Sequence, residues 1–338
     1  MLFRLNKLHF SLSSLLLLCA STQALALEGN DLTIHGYLSQ GFALSDDNEF
    51  IAGSKEGTFD MRQAGINFLY RPFGSTYLSS QLIHRNFGDY EYNEQNVELD
   101  YLYIGTNLLS TESSSINLRI GRIKSPYGLF NETRDIPFTQ TGILLEQGIY
   151  SEHDRGNIIS TDAIATDLHL FHSTGNYSLD LFYGKSRQSE HRFVRDFGYD
   201  EWESRITNLD NYEASIARIT YETPNNRFKF AYTFIGLDNG KINISDTAEY
   251  LGQPIPYDFE RIHRSHYDHY SFVATFERFT FSTEYLRRDY QVHDSYTYPT
   301  LNYAYYTPTS QRHQATLSLQ LVYHHSSVYD FYSRISQG

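Results

Sequence analysis

The sequence predicts an all-β protein, an antiparallel up-and-down transmembrane β-barrel. Three observations favour this fold class: segments in which apolar and polar residues alternate, an aromatic content of 16% in a chain of mean hydropathy −0.47, and connections that are short and long in turn. In a membrane barrel alternate side chains face lipid and a wet lumen, so each strand is only half apolar. Aromatic rings collect at the two lipid–water interfaces of such a barrel.

The first 26 residues have the features of a secretory signal peptide. Arg4 and Lys7 precede an apolar run centred on residues 15–18, and residues 24–26 (Ala-Leu-Ala) have the small-x-small pattern of a signal-peptidase site. The run is shorter than the ~20 residues of a membrane-spanning helix, which makes a short anchor the less favoured alternative. We therefore predict export, with the barrel over residues 27–338.

Cys19 is the only cysteine and lies within this leader. Leu18 is bulkier than the residue that lipoprotein processing requires at that position, so we expect no lipid anchor. Without Cys19, Arg4 and Lys7 the mature chain has no disulfide, and its net charge goes from −13 to −15. Nucleic acid requires a basic surface for its phosphates and is not an expected partner. The sequence has no G-x-S-x-G, P-loop or dinucleotide-binding motif, and we expect no cofactor and no enzyme activity.

The alternation is clearest in residues 177–184, 228–234, 279–285 and 314–323. A soluble β-sandwich also has alternating strands. A sandwich, however, covers one finite core, and this chain has more apolar faces than such a core needs, many of them bordered by Tyr or Phe. A membrane barrel is therefore the favoured interpretation.

The pattern predicts about thirteen strands. They start near Leu32, Thr58, Thr76, Val97, Ser115, Ile159, Tyr177, Tyr212, Arg227, Tyr267, Phe279, Gln314 and Val328. Single-chain bacterial barrels have an even number of strands, and we expect about 16 in the complete barrel, with C-terminal strands missing from this sequence.

Short and long connections alternate along the chain. The short ones are rich in Gly, Pro, Asn and Ser, as turns require, and lie at residues 72–75, 173–176, 223–226 and 277–278. The long ones are predicted at residues 45–57, 87–96, 122–157, 187–211, 238–265 and 291–311. This rhythm is typical of a barrel with short periplasmic turns and long extracellular loops.

The longest predicted connection starts within the stretch GRIKSPYGLFNETRDIPFTQ (residues 121–140), which interrupts the alternation. Pro126 and Pro137 fix the backbone angle φ, and Gly128 permits a sharp turn. A loop of this length inside a compact domain is usually functional.

The chain resembles the Gram-negative general diffusion porins. The resemblance rests on LTIHGYLSQGF (residues 32–42), LSSQLIHRNFG (78–88) and GRIKSPYGLFNETRD (121–135). It implies a location in the bacterial outer membrane, a third loop folded into the lumen, passive diffusion of small hydrophilic solutes, contacts with lipid and lipopolysaccharide, and homotrimers. Porins end in a strand that closes with an aromatic residue, whereas this sequence ends in Gly338.

A barrel of about 16 strands leaves an aqueous channel unless a segment fills it. Opposed charges across a narrow lumen make a transverse field that orients polar solutes. The candidate residues of the constriction loop are Glu132, Arg134, Asp135, Glu146, Glu152 and Asp154. The candidate residues of the pore wall are Arg62, Arg85, Arg119, Arg122 and Lys124. For any single residue of these two sets, a solvated loop position or a plain salt bridge is the simpler interpretation. Acidic residues dominate the long connections, which predicts a modest cation preference.

Two other functions stay open at this stage. The first is a barrel hydrolase with Ser, His and acidic side chains that acts on lipid or peptide. The second is a structural or adhesive barrel whose loops bind partners outside the cell. A metal site at His263, His266 and His269 is disfavoured, because His266 and His269 would face opposite sides of a strand.

Overall fold

The computed structural model describes residues 25–28, 31–45, 54–86, 97–136, 145, 148–150, 159–187, 205–250, 252–301 and 303–323. Fifteen strands in these ranges form one sheet. They are β1 (Leu25–Glu28), β2 (Leu32–Ala43), β3 (Thr58–Phe73), β4 (Thr76–Asn86), β5 (Val97–Ser110), β6 (Ser114–Lys124), β7 (Ser160–His172), β8 (Gly175–Ser186), β9 (Ile206–Asp210), β10 (Tyr212–Glu222), β11 (Phe228–Tyr250), β12 (Gln253–Phe276), β13 (Phe279–Tyr298), β14 (Tyr303–Tyr306) and β15 (Ser310–Tyr323). Short 3-10 turns lie at Ser54–Glu56, Asn131–Thr133 and Pro299–Leu301. No helix in the described ranges is long and apolar enough to cross a membrane.

Every strand pairs antiparallel with its neighbours, and from β1 to β8 the order in the sheet is the order in the chain. β9 and β10 both pair with β11, and β14 and β15 both pair with β13. β9 and β10 together therefore occupy one position in the sheet, and so do β14 and β15. Among the described residues no pairing joins β1 to β14 or β15, so the sheet is not closed. The predicted all-β, antiparallel, up-and-down fold is confirmed.

Twelve predicted strands correspond to observed ones, although β12 begins at Gln253 and not near Tyr267. The strands β1, β9 and β14 were not predicted, and the strand expected near Val328 lies outside the described residues. The four predicted short connections are also present, and a further one at residues 111–113 joins β5 to β6. Each is flanked by strands that pair with each other, as in a series of hairpins.

Three predicted long connections are wrong in whole or in part. Residues 187–211 contain β9. Residues 238–265 were expected to be a loop, but β11 runs to Tyr250 and β12 starts at Gln253, so they form a long hairpin. Residues 291–311 contain the end of β13 and all of β14. The extension is stabilised by a small core of its own, in which Ile242, Ile244 and Phe259 are buried. Charged residues between these positions hide the pattern in the sequence. In addition, β6 extends to Lys124, beyond the predicted loop start at residue 122.

The extended parts of the strands form a structure that we call the projecting sheet: β9, β14, residues 239–250 of β11, residues 253–265 of β12 and residues 289–298 of β13. β11 has an irregularity between Leu237 and Gly240, where the part of the strand that pairs with β10 meets the projecting sheet. Asn239 at this point has a positive φ of 60°, a conformation that Asn tolerates better than most residues. The irregularity is a bulge that separates pairing with β10 from pairing with β9.

The two faces of the main sheet differ in composition. In β4, Ser79, Gln81, Ile83 and Arg85 are buried, whereas Leu78 and Leu82 on the other face are exposed. The same alternation places apolar residues on the outer face of most strands. The inner face, which includes the buried positions, curls around a segment of the connection between β6 and β7.

Candidate functional site: the inner loop and its walls

The segment inside the curled sheet follows β6 directly. We call it the inner loop and define it as residues 125–136 with residues 145 and 148–150. The Ser125 N–H donates a hydrogen bond of 2.8 Å to the Ile159 carbonyl just before β7. The buried Asn131 amide donates to the carbonyls of Ser125, at 2.8 Å, and Ile159, at 3.1 Å. The loop thus leaves the wall and returns to it at one point, and Asn131 holds the two ends together.

The first wall is formed by β2 to β6 and binds the loop through Asp135. The Lys124 ammonium lies 2.5 Å from Asp135 and 2.8 Å from Asp100, and the Arg85 guanidinium lies 3.6 Å from Asp135. All four side chains are nearly inaccessible to solvent. A bulge opposite Leu82 lies between Leu99 and Tyr101 in β5 and accounts for the inward direction of Asp100. Two buried cations and two buried carboxylates therefore neutralise each other.

Neutral donors reinforce this attachment. The Tyr37 hydroxyl and the Gln63 amide both donate to the backbone carbonyl of Asp135, the latter at 3.1 Å. The ring of Tyr37 lies across Gly65 of the neighbouring strand, where a Cβ atom would come within 2.4 Å of the ring. Glycine at position 65 therefore lets Tyr37 reach the loop.

The second wall is formed by β12 and β13 and binds the other end of the loop. The Tyr150 hydroxyl donates a 2.7 Å hydrogen bond to Glu284, and the Ser271 hydroxyl donates to the same carboxylate at 2.9 Å. His269 lies 3.2 Å from Glu284. Burial and the adjacent carboxylate of Glu284 raise the pKa of the Tyr150 hydroxyl well above its ordinary value. The phenol therefore remains protonated and donates at neutral pH.

A glycine at the closest approach fits the loop against this wall. Gly128 has a positive φ of 59°, and a Cβ atom there would lie 2.3 Å from the Tyr150 hydroxyl and 2.4 Å from the His269 ring. The Arg288 guanidinium donates to the Ile149 carbonyl at 3.3 Å. The loop thus contacts β13 at two inner positions, Glu284 and Arg288, on either side of the buried Leu286.

A row of charges crosses four adjacent strands between the two walls. Arg119 of β6 pairs with Asp167 of β7, which is opposite Asp180 of β8. Arg218 of β10 lies 2.8 Å from Asp180 and 2.8 Å from Glu132 of the inner loop. Each of the two adjacent carboxylates therefore has an arginine beside it. The loop adds a third carboxylate at the end of the row.

Some of the candidate residues meet as expected and others do not. Asp135, Arg85 and Lys124 form one cluster, and Glu132 and Arg119 belong to the row of charges. Arg134 is buried and donates to the Tyr150 carbonyl at 2.6 Å, so it braces the loop internally. The candidates that lie outside the described residues are Glu146, Glu152 and Asp154.

Two of the wall assignments disagree with the structure. Arg62 lies between the buried residues Met61 and Gln63, so it projects from the opposite face of β3. Arg122 pairs at 2.9 Å with the half-exposed Asp162, also away from the inner face. The sequence pattern marked these arginines by charge and position near the loop. It did not define which face each would occupy.

The residues that sequence reasoning missed lie on strands remote in the sequence, except for Tyr150 of the inner loop itself. They are Tyr37, Gln63, Asp100, Tyr150, Asp167, Asp180, Arg218, Ser271, Glu284 and Arg288. The signal available for finding them was a polar or aromatic residue at an inner position of an alternating strand. Which of these residues contact the loop depends on the curvature of the sheet.

The inner face beneath the loop is apolar rather than uniformly polar. Three loop residues, Tyr127, Ile149 and Tyr150, belong to a buried cluster with the walls. The wall residues of this cluster are Ile123, Ala163, Ala165, Phe182, Tyr212, Ala214, Ile216, Ile235, Leu237, Tyr267 and Leu286. At the height of the inner loop, the inner face is therefore apolar and not the wet surface expected from the alternation. The apolar contacts fix the loop in place as the charged ones do.

The histidine cluster has separate environments. The His263 ring forms hydrogen bonds with the Tyr212 hydroxyl at 2.6 Å and the Ser265 hydroxyl at 3.1 Å. His266 faces Asp238 on the other side of β12. Ser265 is fully buried, so a substrate has no access to its hydroxyl. In the part of the chain that the structure describes, no group of three or more His, Cys, Asp or Glu side chains could hold a metal ion.

No protein-family model and no curated protein matches the chain. Solved structures similar to it include the ferric yersiniabactin uptake receptor FyuA of Yersinia pestis, with 9% identity and a TM-score of 0.31 over 89% of this chain. The chain spans 41% of that receptor's length. The outer-membrane protein OmpT of Vibrio cholerae has 9% identity and a TM-score of 0.26, with coverage of 88% of this chain and 99% of OmpT. The trimer form of in-vitro folded OmpT has 9% identity and a TM-score of 0.27, with coverage of 90% and 100%. These neighbours are outer-membrane proteins, and at such values they carry no argument about activity.

Proposed function

We propose that the chain is a bacterial outer-membrane protein that forms a narrow channel for small hydrophilic solutes. The observation that carries the proposal is the inner loop. Charged contacts tie it to the first wall and hydrogen bonds tie it to the second, so it crosses the space that the sheet encloses. A segment held in this position narrows the passage.

The outer face supports insertion into a bilayer. Large apolar side chains in the middle of the strands are exposed on this face: Leu38, Ile104, Ile164, Leu181, Ile219, Leu317, Leu319 and Leu321. Exposed rings lie close to the short turns: Tyr70, Phe73, Phe171, Tyr177, Phe276, Phe279 and Tyr323. An apolar band next to a row of aromatic residues is the arrangement found on the lipid side of outer-membrane barrels. We expect lipid and lipopolysaccharide to cover this surface, and the short turns to face the periplasm.

Charge pairing inside the sheet supports a neutral constriction. The carboxylates of Asp135 and Glu132 each contact basic wall residues, so neither leaves an isolated charge in the passage. The acidic chain as a whole, with a net charge of −13, favours cations at the entrance. We propose weak cation preference, passive transport and no enzyme activity. Homotrimers are proposed only from the resemblance to porins.

A structural or adhesive barrel is the second candidate. The apolar cluster around Tyr127, Ile149 and Tyr150 favours it, because packing of this kind fills the lumen at the level of the loop. A hydrolase is less favoured, because the Ser265 hydroxyl beside His263 is buried. Conductance separates the first two possibilities.

The test is a comparison of single-channel conductance in planar bilayers. The wild-type protein should give small, defined conductance steps. A variant in which residues 126–150 are replaced by a short turn should give larger ones. The matched control shortens the connection at residues 87–96 and should leave the conductance unchanged. If correctly folded protein of all three kinds fails to conduct, the structural candidate replaces the channel.

A further inference from the structure

The projecting sheet carries a continuous row of tyrosines. Tyr296 and Tyr298 of β13 lie opposite Tyr305 and Tyr303 of β14, with ring centroids 6.4 and 6.2 Å apart. Tyr257 of β12 adjoins them, 5.9 Å from Tyr298. The planes of these neighbouring rings are inclined to each other by 35–38°. We call these five residues the tyrosine platform.

The platform lies on the inner side of the sheet and outside the membrane. Tyr296 alternates with its neighbours on the same face of β13 as Glu284 and Arg288. Phe279 begins that strand at a short turn. At ~3.3 Å per residue and a tilt of roughly 40°, Tyr296 stands roughly 40 Å from this turn, beyond an apolar band of about 25 Å. The rings therefore face the entrance to the lumen and are not part of an interfacial belt.

One edge of the platform is accessible, and the opposite edge packs against a buried core. The Tyr303 and Tyr305 side chains are 55% and 49% exposed. Beside the platform, on the same face, the buried ring of Phe259 lies opposite Tyr296 at 4.9 Å and belongs to the small core of the projecting sheet. Rings that are held in place lose little conformational entropy when a ligand binds.

The charges that border the platform are already paired. The Arg261 guanidinium donates two hydrogen bonds, of 2.6 and 2.7 Å, to the Asp294 carboxylate. Arg205 pairs with Asp246, whose carboxylate accepts a 3.3 Å hydrogen bond from the Tyr257 hydroxyl of the platform. A surface with this neutral border gives an ionic ligand little electrostatic attraction. Its exposed chemistry is that of ring faces and phenol hydroxyls.

We propose that the tyrosine platform binds a free, neutral, linear oligosaccharide at the entrance to the lumen. The C–H groups on one side of a pyranose ring form an apolar face that stacks on an aromatic ring, and the sugar hydroxyls exchange hydrogen bonds with phenol hydroxyls. Successive platform rings are close enough for neighbouring sugar units of one chain to occupy them. A free saccharide is favoured over a membrane glycolipid, because the platform faces the lumen side and not the outer leaflet.

This assignment rests on the membrane orientation given under the proposed function, but it does not require conduction. Binding is therefore measured in detergent, by calorimetric titration with maltohexaose, and conduction is not part of the measurement. The test variant is Tyr303→Ser with Tyr305→Ser. The matched control is Tyr306→Ser, because Tyr306 is 64% exposed and lies on the opposite face of the same strand, near His293.

Maltohexaose should bind the wild type, and the double variant should lose affinity by about tenfold or more. The control variant should bind as the wild type does, and glucose should bind more weakly than the hexamer. Absence of binding to the folded wild type at on the order of 10 mM would overturn the assignment. Equal loss in the control variant would also overturn it. So would binding of purified lipopolysaccharide, but not of maltohexaose, that depends on Tyr303 and Tyr305.

Discussion

Tyr150 donates a 2.7 Å hydrogen bond to Glu284. This contact joins the inner loop to β13, a strand remote from β6 and β7, between which the loop lies in the chain. The same carboxylate accepts from Ser271 at 2.9 Å and from the Leu129 N–H at 3.3 Å. Hydrogen bonds to a carboxylate are stronger than those between neutral groups. Glu284 therefore fixes how far the loop reaches across the enclosed space.

Substitution of Glu284→Ala should release this end of the loop. It removes the acceptor of Tyr150 and Ser271 and should lower the free energy of unfolding by about 1–3 kcal/mol. Conductance steps should increase, because the loop is no longer held at the second wall. The matched control is Tyr285→Phe, at an exposed outer position of the same strand. Unchanged conductance in a folded Glu284→Ala protein would contradict this role.

Tyr150 should give the loop a measurable sensitivity to alkaline pH. Because its folded-state pKa is raised, the phenol is protonated in both states below the ordinary tyrosine value of about 10. As pH rises past that value, the unfolded chain loses the proton first, and the stabilisation decreases. The stability advantage of wild type over Tyr150→Phe, from urea unfolding at a series of pH values, should shrink above pH of about 10. A constant difference across this range would exclude the titration of Tyr150.

The two classes of ion pair should differ in their effects on stability. Asp135→Ala leaves the buried groups of Lys124 and Arg85 with one carboxylate fewer and should cost about 3–5 kcal/mol. Asp162→Ala removes an exposed partner of Arg122 and should cost about 0–1 kcal/mol. Urea unfolding measures both costs. The folded fraction is read from gels, because a folded barrel that has not been heated migrates differently from the unfolded chain. Similar costs would show that the Asp135 cluster is more hydrated than its burial indicates.

The strand pattern was predictable because alternation is a local property of the sequence. Leu317, Leu319 and Leu321 identify an outer face without reference to any other strand. The contact between Tyr150 and Glu284 is not local, and it depends on how far the sheet curls between β6 and β13. Arg122 shows a different limit. Arg119 and Arg122 were both assigned to the pore wall, although residues three apart in a strand lie on opposite faces, and β6 pairs with β7 without a register shift through both positions.

The same alternation predicts unequal effects at adjacent positions of β15. Leu319 is 66% exposed on the outer face, and an arginine there should cost about 2–4 kcal/mol near the middle of the bilayer. Ser318 lies opposite Glu284 on the inner face, where an arginine has a carboxylate nearby. Folding into lipid vesicles with urea titration compares Leu319→Arg with Ser318→Arg. Equal sensitivity at the two positions would mean that the faces of β15 are assigned wrongly.

Ion selectivity should be set by the entrance more than by the constriction. Inside, Glu132 lies 2.8 Å from Arg218 and is balanced by it. Outside, the acidic excess of the chain attracts cations over a distance that salt screens to about 10 Å at 0.1 M. Reversal potentials under a salt gradient should therefore show a modest cation preference that weakens as ionic strength rises. Glu132→Gln leaves the charge of Arg218 less balanced and should shift selectivity towards anions, whereas Glu213→Gln, at an exposed position of β10, should have a smaller effect. Anion selectivity in the wild type, unchanged by Glu132→Gln, would show that the inner loop does not border the conducting path.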